Sequence, residues 1–290
     1  MGGPALKELQ DVAAPAKLNL FLHITGRRSD GYHLIQSAFM LIDWSDTLHF
    51  ELRPLGGLSR EDLAQALPAD DLILRAARLL QQASGSALGA HIRVEKRIPS
   101  QAGMGGGSSD AASTLLALNR LWGLQLSLSQ LSQLGLQLGA DVPFFLFGLN
   151  AWVEGIGEQL SPLDVPACQV LVVKPPTGLS TQAIFSDARL KRDSNTATIS
   201  GFAADPFGFG RNDLQPVAQS LCPEISQALD WLQSLGLRGR MTGSGSAVFA
   251  WAPPDFKLGQ APEGFEARLC RSLGVHPLAK WAAETDFVGR

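Results

Sequence analysis

Residues 99–112 read Pro-Ser-Gln-Ala-Gly-Met-Gly-Gly-Gly-Ser-Ser-Asp-Ala-Ala and are the most informative stretch of the chain. The glycines are followed by a helical pattern that begins with Ser108 or Ser109 as the expected N-cap and runs to Leu121. Because glycine has no Cβ, such a loop can bring backbone N–H groups close to an anion. The N-terminus of the following helix adds unsatisfied N–H groups and a positive dipole end. The stretch therefore predicts a phosphate site.

The same loop excludes the two most familiar nucleotide-binding motifs. No lysine follows the glycines, as a Walker A loop requires. Gly103-Met104-Gly105 is followed, three positions on, by Ser108 rather than by the glycine of a dinucleotide fingerprint. The alternative is a loop that serves only the turn after the strand predicted at His91–Lys96. Simple connections need one or two glycines rather than four, which favours the anion site.

Composition and charge narrow the class of protein. The chain has 290 residues, which favours two domains, and it is 45% hydrophobic and 18% charged, which suits a soluble globular protein. A net charge of −3 without a basic block makes a nucleic-acid polymer an unexpected partner. The apolar stretch near Val142–Leu149 is too short to span a bilayer, and charged residues interrupt the first 20 positions. We therefore expect no membrane partner and a cytoplasmic location.

The cysteines point to a reducing compartment. Cys168, Cys222 and Cys270 are odd in number, far apart and without C-x-x-C spacing. We expect free thiols and no zinc site.

The order of predicted elements indicates an α+β fold with largely antiparallel sheets, because strands and helices are mixed rather than strictly alternating. Turn chemistry near Leu160–Pro166 predicts a boundary between domains 1–163 and 164–290. Residues 192–211 are expected to form a long loop. The other predicted strands are Lys17–Ile24, Leu34–Ile42, Thr47–Leu52, Leu171–Lys174 and Ser246–Trp251, and the other predicted helices are Asp71–Gln82, Ser127–Leu138 and Leu214–Leu235, with Pro216 and Pro223 at helix starts or dividing the last one.

Three further features each leave two interpretations open. A second glycine cluster at 243–245 either forms a tight turn or closes on a polyphosphate from the other side. Lys17 and Asn19 project from one face of a strand, where such residues are often simply solvated. Asp141 precedes Val142-Pro143 and is either a helix N-cap or a functional carboxylate.

Taken together, these motifs resemble the GHMP kinase superfamily. The resemblance rests on four stretches that span nearly the whole chain in the family's order: Ala14–Leu22 with Arg28–His33, Pro99–Ala112, Gly139–Phe144 and Met241–Ala250. It implies a two-domain fold with an active-site cleft between the domains. The Asp30-Gly31-Tyr32-His33 loop and the Gly139–Phe144 stretch narrow the resemblance to members that act on 4-diphosphocytidyl-2-C-methyl-D-erythritol. The resemblance therefore implies an ATP-dependent kinase, with Mg²⁺, for the 2-hydroxyl of that small molecule, as a monomer or homodimer.

The resemblance also implies residue roles. Asp141 would accept the proton of the substrate hydroxyl, and Lys17 would orient that hydroxyl. Residues implied to bind ATP are Lys96, Pro99, Gly103, Met104, Gly105, Gly106, Gly107, Ser108 and Ser109. Residues implied to bind the acceptor are Asn19, Tyr32, His33, Asp141, Thr181, Phe185, Gly243 and Ser244, with Tyr32, His33, Thr181 and Phe185 forming a cytosine pocket. The resemblance leaves the metal ligands unidentified, with the loop serines Ser108 and Ser109 as candidates. The family often has Asn where Asp71 stands, so an adenine contact of Asp71 stays open.

Two other functions compete with this one. Another kinase of the superfamily, such as a homoserine or mevalonate kinase, would share the phosphate loop but not the cytosine pocket. A ligand-binding regulator would keep the fold without catalysis, and the presence of both Lys17 and Asp141 argues against it.

Overall fold

The computed structural model describes residues 6–282 and contains ten strands and eight helices in that part of the chain. The strands are β1 (Glu8–Arg27), β2 (His33–Arg53), β3 (Leu58–Asp62), β4 (Gly89–Glu95), β5 (Ala151–Glu154), β6 (Gln159–Pro162), β7 (Gln169–Lys174), β8 (Gly239–Met241), β9 (Val248–Ala252) and β10 (Glu266–Leu273). The helices are α1 (Leu72–Ser84), α2 (Gly106–Leu121), α3 (Leu128–Leu138), α4 (Val142–Phe147), α5 (Thr181–Ser186), α6 (Ile199–Ala204), α7 (Gln215–Leu221) and α8 (Glu224–Ser234).

All ten strands belong to one sheet organised around the long strand β2. β2 pairs with β1, β4, β5 and β10, and β10 continues the sheet to β7, β9 and β8. β3 pairs with β4 in parallel, and the other pairs among these ten strands are antiparallel. The predicted α+β fold with largely antiparallel strands is confirmed.

Helix α2 lies at the centre of the N-terminal half. Twelve of its sixteen residues are buried, as expected for a helix that is covered on every side. Its leucines share a core with β2, β4, α1 and α4, in which Leu48, Leu80, Leu115 and Phe144 are fully buried. The glycine loop therefore leads into an element whose position is fixed by packing.

Several element boundaries differ from those expected. The strands predicted at Leu34–Ile42 and Thr47–Leu52 form one strand, β2, because the polar break between them is part of the same ladder to β1. The N-cap of α2 is Gly105, so Ser108 and Ser109 lie inside the first turn and the N-cap prediction is wrong. The region 192–211 contains α6. The Leu214–Leu235 segment is divided into α7 and α8, with Pro216 in the first turn of α7 and Pro223 just before α8.

In residues 6–282 no helix is long and apolar enough to cross a membrane. The three cysteines are free, and Cys222 and Cys270 are buried. Burial raises the pKa of the Cys270 thiol to about 12, so the thiol stays protonated at neutral pH.

Candidate active site

The described residues enclose a cleft of about 1300 Å³. It brings together nearly every residue singled out in the sequence, from both halves of the chain. The residues that line it include Lys17, Asn19, Tyr32, His33, Lys96, Pro99, Gly103, Met104, Gly105, Gly106, Gly107, Ser108, Asp141, Thr181, Phe185, Gly243 and Ser244. Ser109 is the exception, because it is fully buried and its hydroxyl donates to the Pro15 carbonyl at 2.7 Å.

The first glycine loop presents the N-terminus of α2 to this cleft. Gly105 is the N-cap in a left-handed conformation, with φ of 72°, and no side chain caps the helix. The first turn contains no acidic side chain. The uncapped N–H groups and the positive end of the dipole are therefore available to an anion.

The second glycine cluster is joined to the first by backbone hydrogen bonds. Ser246 N donates to Gln101 O at 3.0 Å, and Ala247 N donates to Ala102 O at 3.2 Å. The contact is close enough that a Cβ on Gly103 would lie 2.3 Å from Thr242 O. The second cluster is thus more than a local turn, since it forms a wall of the same cleft.

Lys17 and Asn19 are buried, with 3% and 1% of their surfaces exposed, so the solvated interpretation is wrong. Lys17 Nζ donates to Asn19 Oδ1 at 2.5 Å, and Asn19 Nδ2 donates to Ser37 Oγ at 3.0 Å. The backbone N–H of Asn19 donates to Thr242 Oγ1 at 2.8 Å. This network restricts the position of the Lys17 ammonium within the cleft lining.

The ammonium of Lys17 lies 3.4 Å from Asp141 Oδ2. Asp141 is the N-cap residue of α4 by position, but its side chain makes no capping hydrogen bond, so capping does not engage its carboxylate. The Asp141 side chain remains 31% exposed, whereas that of Lys17 is 4% exposed. A held lysine beside an accessible carboxylate is the arrangement needed to orient a hydroxyl group and to accept its proton.

Lys96 lines the cleft, but its ammonium is already engaged by two buried carboxylates. It donates to Asp110 Oδ2 at 2.5 Å and to Asp46 Oδ2. Burial by itself would lower the pKa of Lys96, but Asp110 and Asp46 raise it above its usual value. Asp46 Oδ1 also accepts from the backbone N–H groups of Arg97 and Ile98, at 2.5 and 2.8 Å. The cluster therefore anchors the segment that leads into the glycine loop.

Asp110 is the less satisfied member of this cluster. Its Oδ1 atom is buried without a hydrogen-bond partner. Burial raises the pKa of Asp110 to about 7, against the opposing effect of Lys96. Asp71, another acid on the cleft lining, caps α1 through Leu74 N and Ile73 N and forms an ion pair with Arg60 Nη1 at 2.6 Å.

Aromatic rings line the other end of the cleft. The rings of His33 and Phe185 have centroids 5.0 Å apart at an interplanar angle of 37°. Tyr32, which directly precedes His33, is 61% exposed, whereas Gly31 and His33 on either side of it are partly buried. Thr181 shares α5 with Phe185, and its hydroxyl is 2.8 Å from that of Ser244 in the second glycine cluster. These side chains form a shallow aromatic pocket with one exposed ring.

Sequence reasoning missed Arg192, which holds this aromatic pocket together. Its Nε donates to His33 Nε2 at 3.0 Å, and its Nη2 donates to Phe185 O at 3.1 Å. Arg192 lies in a polar segment 159 positions from His33, and no local pattern distinguishes it from a solvated arginine. Asp46 was missed for a similar reason, since its role appears only when β2 packs beside residues 96–98.

The sequence matches known proteins over nearly its full length. The families described as GHMP kinases N terminal domain and GHMP kinases C terminal match residues 71–149 and 200–269. The 4-diphosphocytidyl-2-C-methyl-D-erythritol kinase of Albidiferax ferrireducens is 70% identical over 277 residues, covering 96% of both chains. The chain belongs to the 4-diphosphocytidyl-2-C-methyl-D-erythritol kinases, within the GHMP kinases. The enzyme of the same name from Paracidovorax citrulli is 62% identical and covers 97% of this chain and all of its own.

Solved structures agree with this placement. A crystal structure of 4-(cytidine 5'-diphospho)-2C-methyl-D-erythritol kinase superposes with a TM-score of 0.75 at 33% identity, covering 91% of this chain and 98% of its own. A homoserine kinase from Cytophaga hutchinsonii has a TM-score of 0.70 at 15% identity, covering 95% of this chain and 98% of its own. At that identity the likeness to the homoserine kinase concerns the fold alone.

Proposed function

We propose that this protein transfers the γ-phosphate of ATP to the 2-hydroxyl of 4-diphosphocytidyl-2-C-methyl-D-erythritol, giving the 2-phosphate and ADP in the non-mevalonate pathway to isoprenoid precursors. The observation that carries the proposal is the single cleft. It joins an uncapped helix N-terminus, the Lys17 and Asp141 pair and an aromatic pocket containing His33 and Phe185. The helix N-terminus would bind the phosphates of ATP, the pair would bind the acceptor hydroxyl, and the aromatic pocket would bind the cytosine base.

The polyphosphate of ATP would lie at the N-terminus of α2. Phosphoryl transfer asks a protein mainly for positioning and for stabilisation of charge on the transferred group. Here backbone N–H groups and the helix dipole supply that stabilisation, since the Lys96 ammonium is engaged by Asp46 and Asp110. The nucleoside would extend toward Lys96 and Pro99 on the same lining.

Asp141 would accept the proton of the acceptor hydroxyl. Lys17 would hold that hydroxyl and the Asp141 carboxylate in the correct relative position. Lys17 is suited to this role because Asn19 and Ser37 restrict its position. An acceptor hydroxyl between Asp141 and the glycine loop would be placed in line with the γ-phosphate.

The cytosine base would lie in the pocket formed by Tyr32, His33 and Phe185. Aromatic faces stack on bases, and a histidine edge can hydrogen-bond to the base. The exposed ring of Tyr32 has a free face for such stacking.

We propose Mg²⁺ as the metal that accompanies ATP, and the residues present fit a metal held mainly by the nucleotide. Residues 6–282 contain no group of three His, Cys, Asp or Glu side chains that could hold a metal. Mg²⁺ commonly keeps waters and binds through substrate phosphates with one or two protein oxygens. Ser108, in the glycine loop, lines the cleft and would supply a side-chain oxygen to the ion. When bound, the ion would neutralise charge on the phosphates.

The acceptor is tested by measuring ADP release with a panel of alcohols at saturating ATP. We expect turnover with the cytidyl substrate and none with homoserine or mevalonate. Phosphorylation of homoserine or mevalonate instead would replace this function with that of another GHMP kinase. Binding of ATP and the cytidyl substrate without ADP release would indicate a regulator that has lost catalysis.

The cellular setting is also a proposal. Three free cysteines support a reducing compartment, which agrees with a cytoplasmic enzyme. We propose a monomer or homodimer, and light scattering of the purified protein would decide between them.

A further inference from the structure

The contact between Arg192 and His33 has a consequence for the protonation of the histidine ring. Arg192 Nε donates to His33 Nε2 at 3.0 Å. A guanidinium group has only donors, so Nε2 must be the acceptor in this bond. A neutral imidazole with an accepting Nε2 carries its proton on Nδ1. Within residues 6–282, no hydrogen bond engages His33 Nδ1, and His33 lines the cleft.

The guanidinium is held too firmly to turn away from the ring. Besides His33, it donates to Phe185 O at 3.1 Å and to Asp187 O and Leu190 O, each at 2.9 Å. The same group therefore fixes the histidine ring and the end of α5 that carries Phe185. Burial, followed by the charges of Arg192 and Arg27, lowers the pKa of His33, which keeps the ring neutral.

We propose that Arg192 is a positioning residue for base selection. By fixing the proton of His33 on Nδ1, it makes this ring a donor toward the base in the cleft. Cytosine offers an acceptor at N3, whereas uracil presents an N–H group at the same position, so two donors would oppose each other. The proposal rests on the proposed function, because it requires that the pyrimidine of the acceptor substrate lies beside His33. A site that leaves such polar groups unpaired rejects the wrong ligand strongly.

The tautomer can be read without any substrate. Long-range ¹H–¹⁵N correlation spectra of ¹⁵N-histidine-labelled protein distinguish a proton on Nδ1 from one on Nε2. We expect the Nδ1–H form for His33 in the wild type and a mixture with the Nε2–H form in Arg192→Met. A wild-type ring protonated on Nε2 would overturn the proposal, even if Arg192→Met proved too unstable to study.

The selectivity is measured as the ratio of kcat/KM for the cytidine substrate to that for its uridine counterpart. Arg192→Met should lower this ratio about tenfold or more, as expected when a specific hydrogen bond is lost. Arg189→Met is the matched control, because Arg189 lies in the same segment and, among residues 6–282, its side chain donates only to Asp187. It should leave the ratio unchanged.

The same Arg192→Met change in a His33→Asn protein separates an effect on base selection from a loss of structural support for the loop. In His33→Asn, the side-chain amide can donate from a position close to that of Nδ1 without help from Arg192. Adding Arg192→Met to His33→Asn should then leave the selectivity ratio unchanged. An equal loss of selectivity in both backgrounds would show that Arg192 only supports the loop, which would overturn the proposal. If wild-type protein fails to phosphorylate the cytidine substrate, the proposed function fails, while the spectra still decide the tautomer.

Discussion

Asp141 and Lys17 differ in exposure although they lie 3.4 Å apart. Lys17 is held by Asn19, while Asp141 stays open to the cleft, so the carboxylate is the group that can meet an incoming hydroxyl. Asp141→Asn should lower kcat by about 10²- to 10⁴-fold, the range for a positioned general base. The dissociation constant of ATP should change little, as measured by calorimetry. Asp164→Asn, at an exposed site, is the control. Turnover near that of the wild type in Asp141→Asn would remove Asp141 from the mechanism.

Tyr32 is the one tyrosine of the chain, and its ring is 61% exposed. An exposed ring contributes little to folding, so its loss should affect ligand binding far more than stability. Tyr32→Ala should raise KM for the cytidyl substrate about tenfold, consistent with roughly 1–3 kcal/mol for base stacking, and leave KM for ATP unchanged. Tyr32→Phe keeps the ring and should behave like the wild type. Equal increases in both KM values would contradict stacking on one substrate only.

At the residue scale, the sequence predicts those side chains that stand in distinctive local motifs. Lys17, Tyr32 and Asp141 each belong to such a stretch, and the cleft brings them together. Asp46 and Arg192 have no such signal, because their partners come from strands and loops distant in sequence. Whether a lysine such as Lys17 is solvated or buried also depends on packing that the local pattern does not contain.

The two glycine clusters form one element of the cleft, and Gly103 lies where they touch. It has φ of 72°, and an added Cβ would lie 2.3 Å from Thr242 O and 2.8 Å from Gly245 N, both backbone atoms. Gly85 has a similar φ of 65° but has nothing within 4 Å of an added Cβ. Gly85→Ala should therefore cost only the strain of a left-handed alanine, about 1 kcal/mol.

Gly103→Ala should cost clearly more than Gly85→Ala in the free energy of unfolding, measured with urea, because the two clusters must separate. It should also raise KM for ATP, whereas Gly85→Ala should not. A stability loss and a KM for Gly103→Ala that match those of Gly85→Ala would show that the contact between the clusters is dispensable.

The cluster of Asp46, Lys96 and Asp110 joins β2, the segment between β4 and the glycine loop, and α2, and its two carboxylates share one ammonium. Because burial raises the pKa of Asp110 to about 7 from a usual value near 3.8, the folded state binds a proton that the unfolded state releases. Stability contributed by Asp110 therefore falls as pH rises from about 4 to about 7.

Asp110→Asn should remove this pH dependence while keeping an acceptor for Lys96. We compare the free energy of unfolding of Asp110→Asn with that of the wild type at the same pH. The difference, variant minus wild type, should be greater at pH 8 than at pH 5 by roughly 2–3 kcal/mol. Denaturant titrations of both proteins at the two pH values measure it. A gain that is equal at both values, or greater at pH 5, would mean that Asp110 is ionised in the folded protein throughout this range.

At the element scale, helices with clear periodicity were predictable, and α1, α2 and α3 lie close to their expected ranges. The short strands β3, β5, β6 and β8 were not predicted, because three to five residues contain too little periodicity to distinguish a strand from a loop. β10 alternates weakly and was also missed. These strands are defined by their partners in the sheet rather than by their own sequences.

The whole molecule is joined across the predicted boundary near residue 163. β10 pairs with both β2 and β7, so the sheet is continuous between the two halves. One hydrophobic cluster also contains residues from both sides, among them Phe21 and Trp44 from the first half and Val172 and Phe249 from the second. The boundary itself stays a prediction, but the two halves share both hydrogen bonds and core.

A shared core predicts that the halves unfold together. Phe249 is fully buried in that cluster, on β9 opposite Val172. Phe249→Ala should lower the free energy of unfolding by about 3–5 kcal/mol, as expected for a large core deletion. If unfolding is cooperative, the same variant should accelerate hydrogen exchange of the slowest amides in α2, which lies in the other half, as well as those in β9. Leu55→Ala, at a site 93% exposed, is the control and should change neither. Faster exchange confined to the second half, or two separate transitions in urea, would show that the halves are independent folding units despite the continuous sheet.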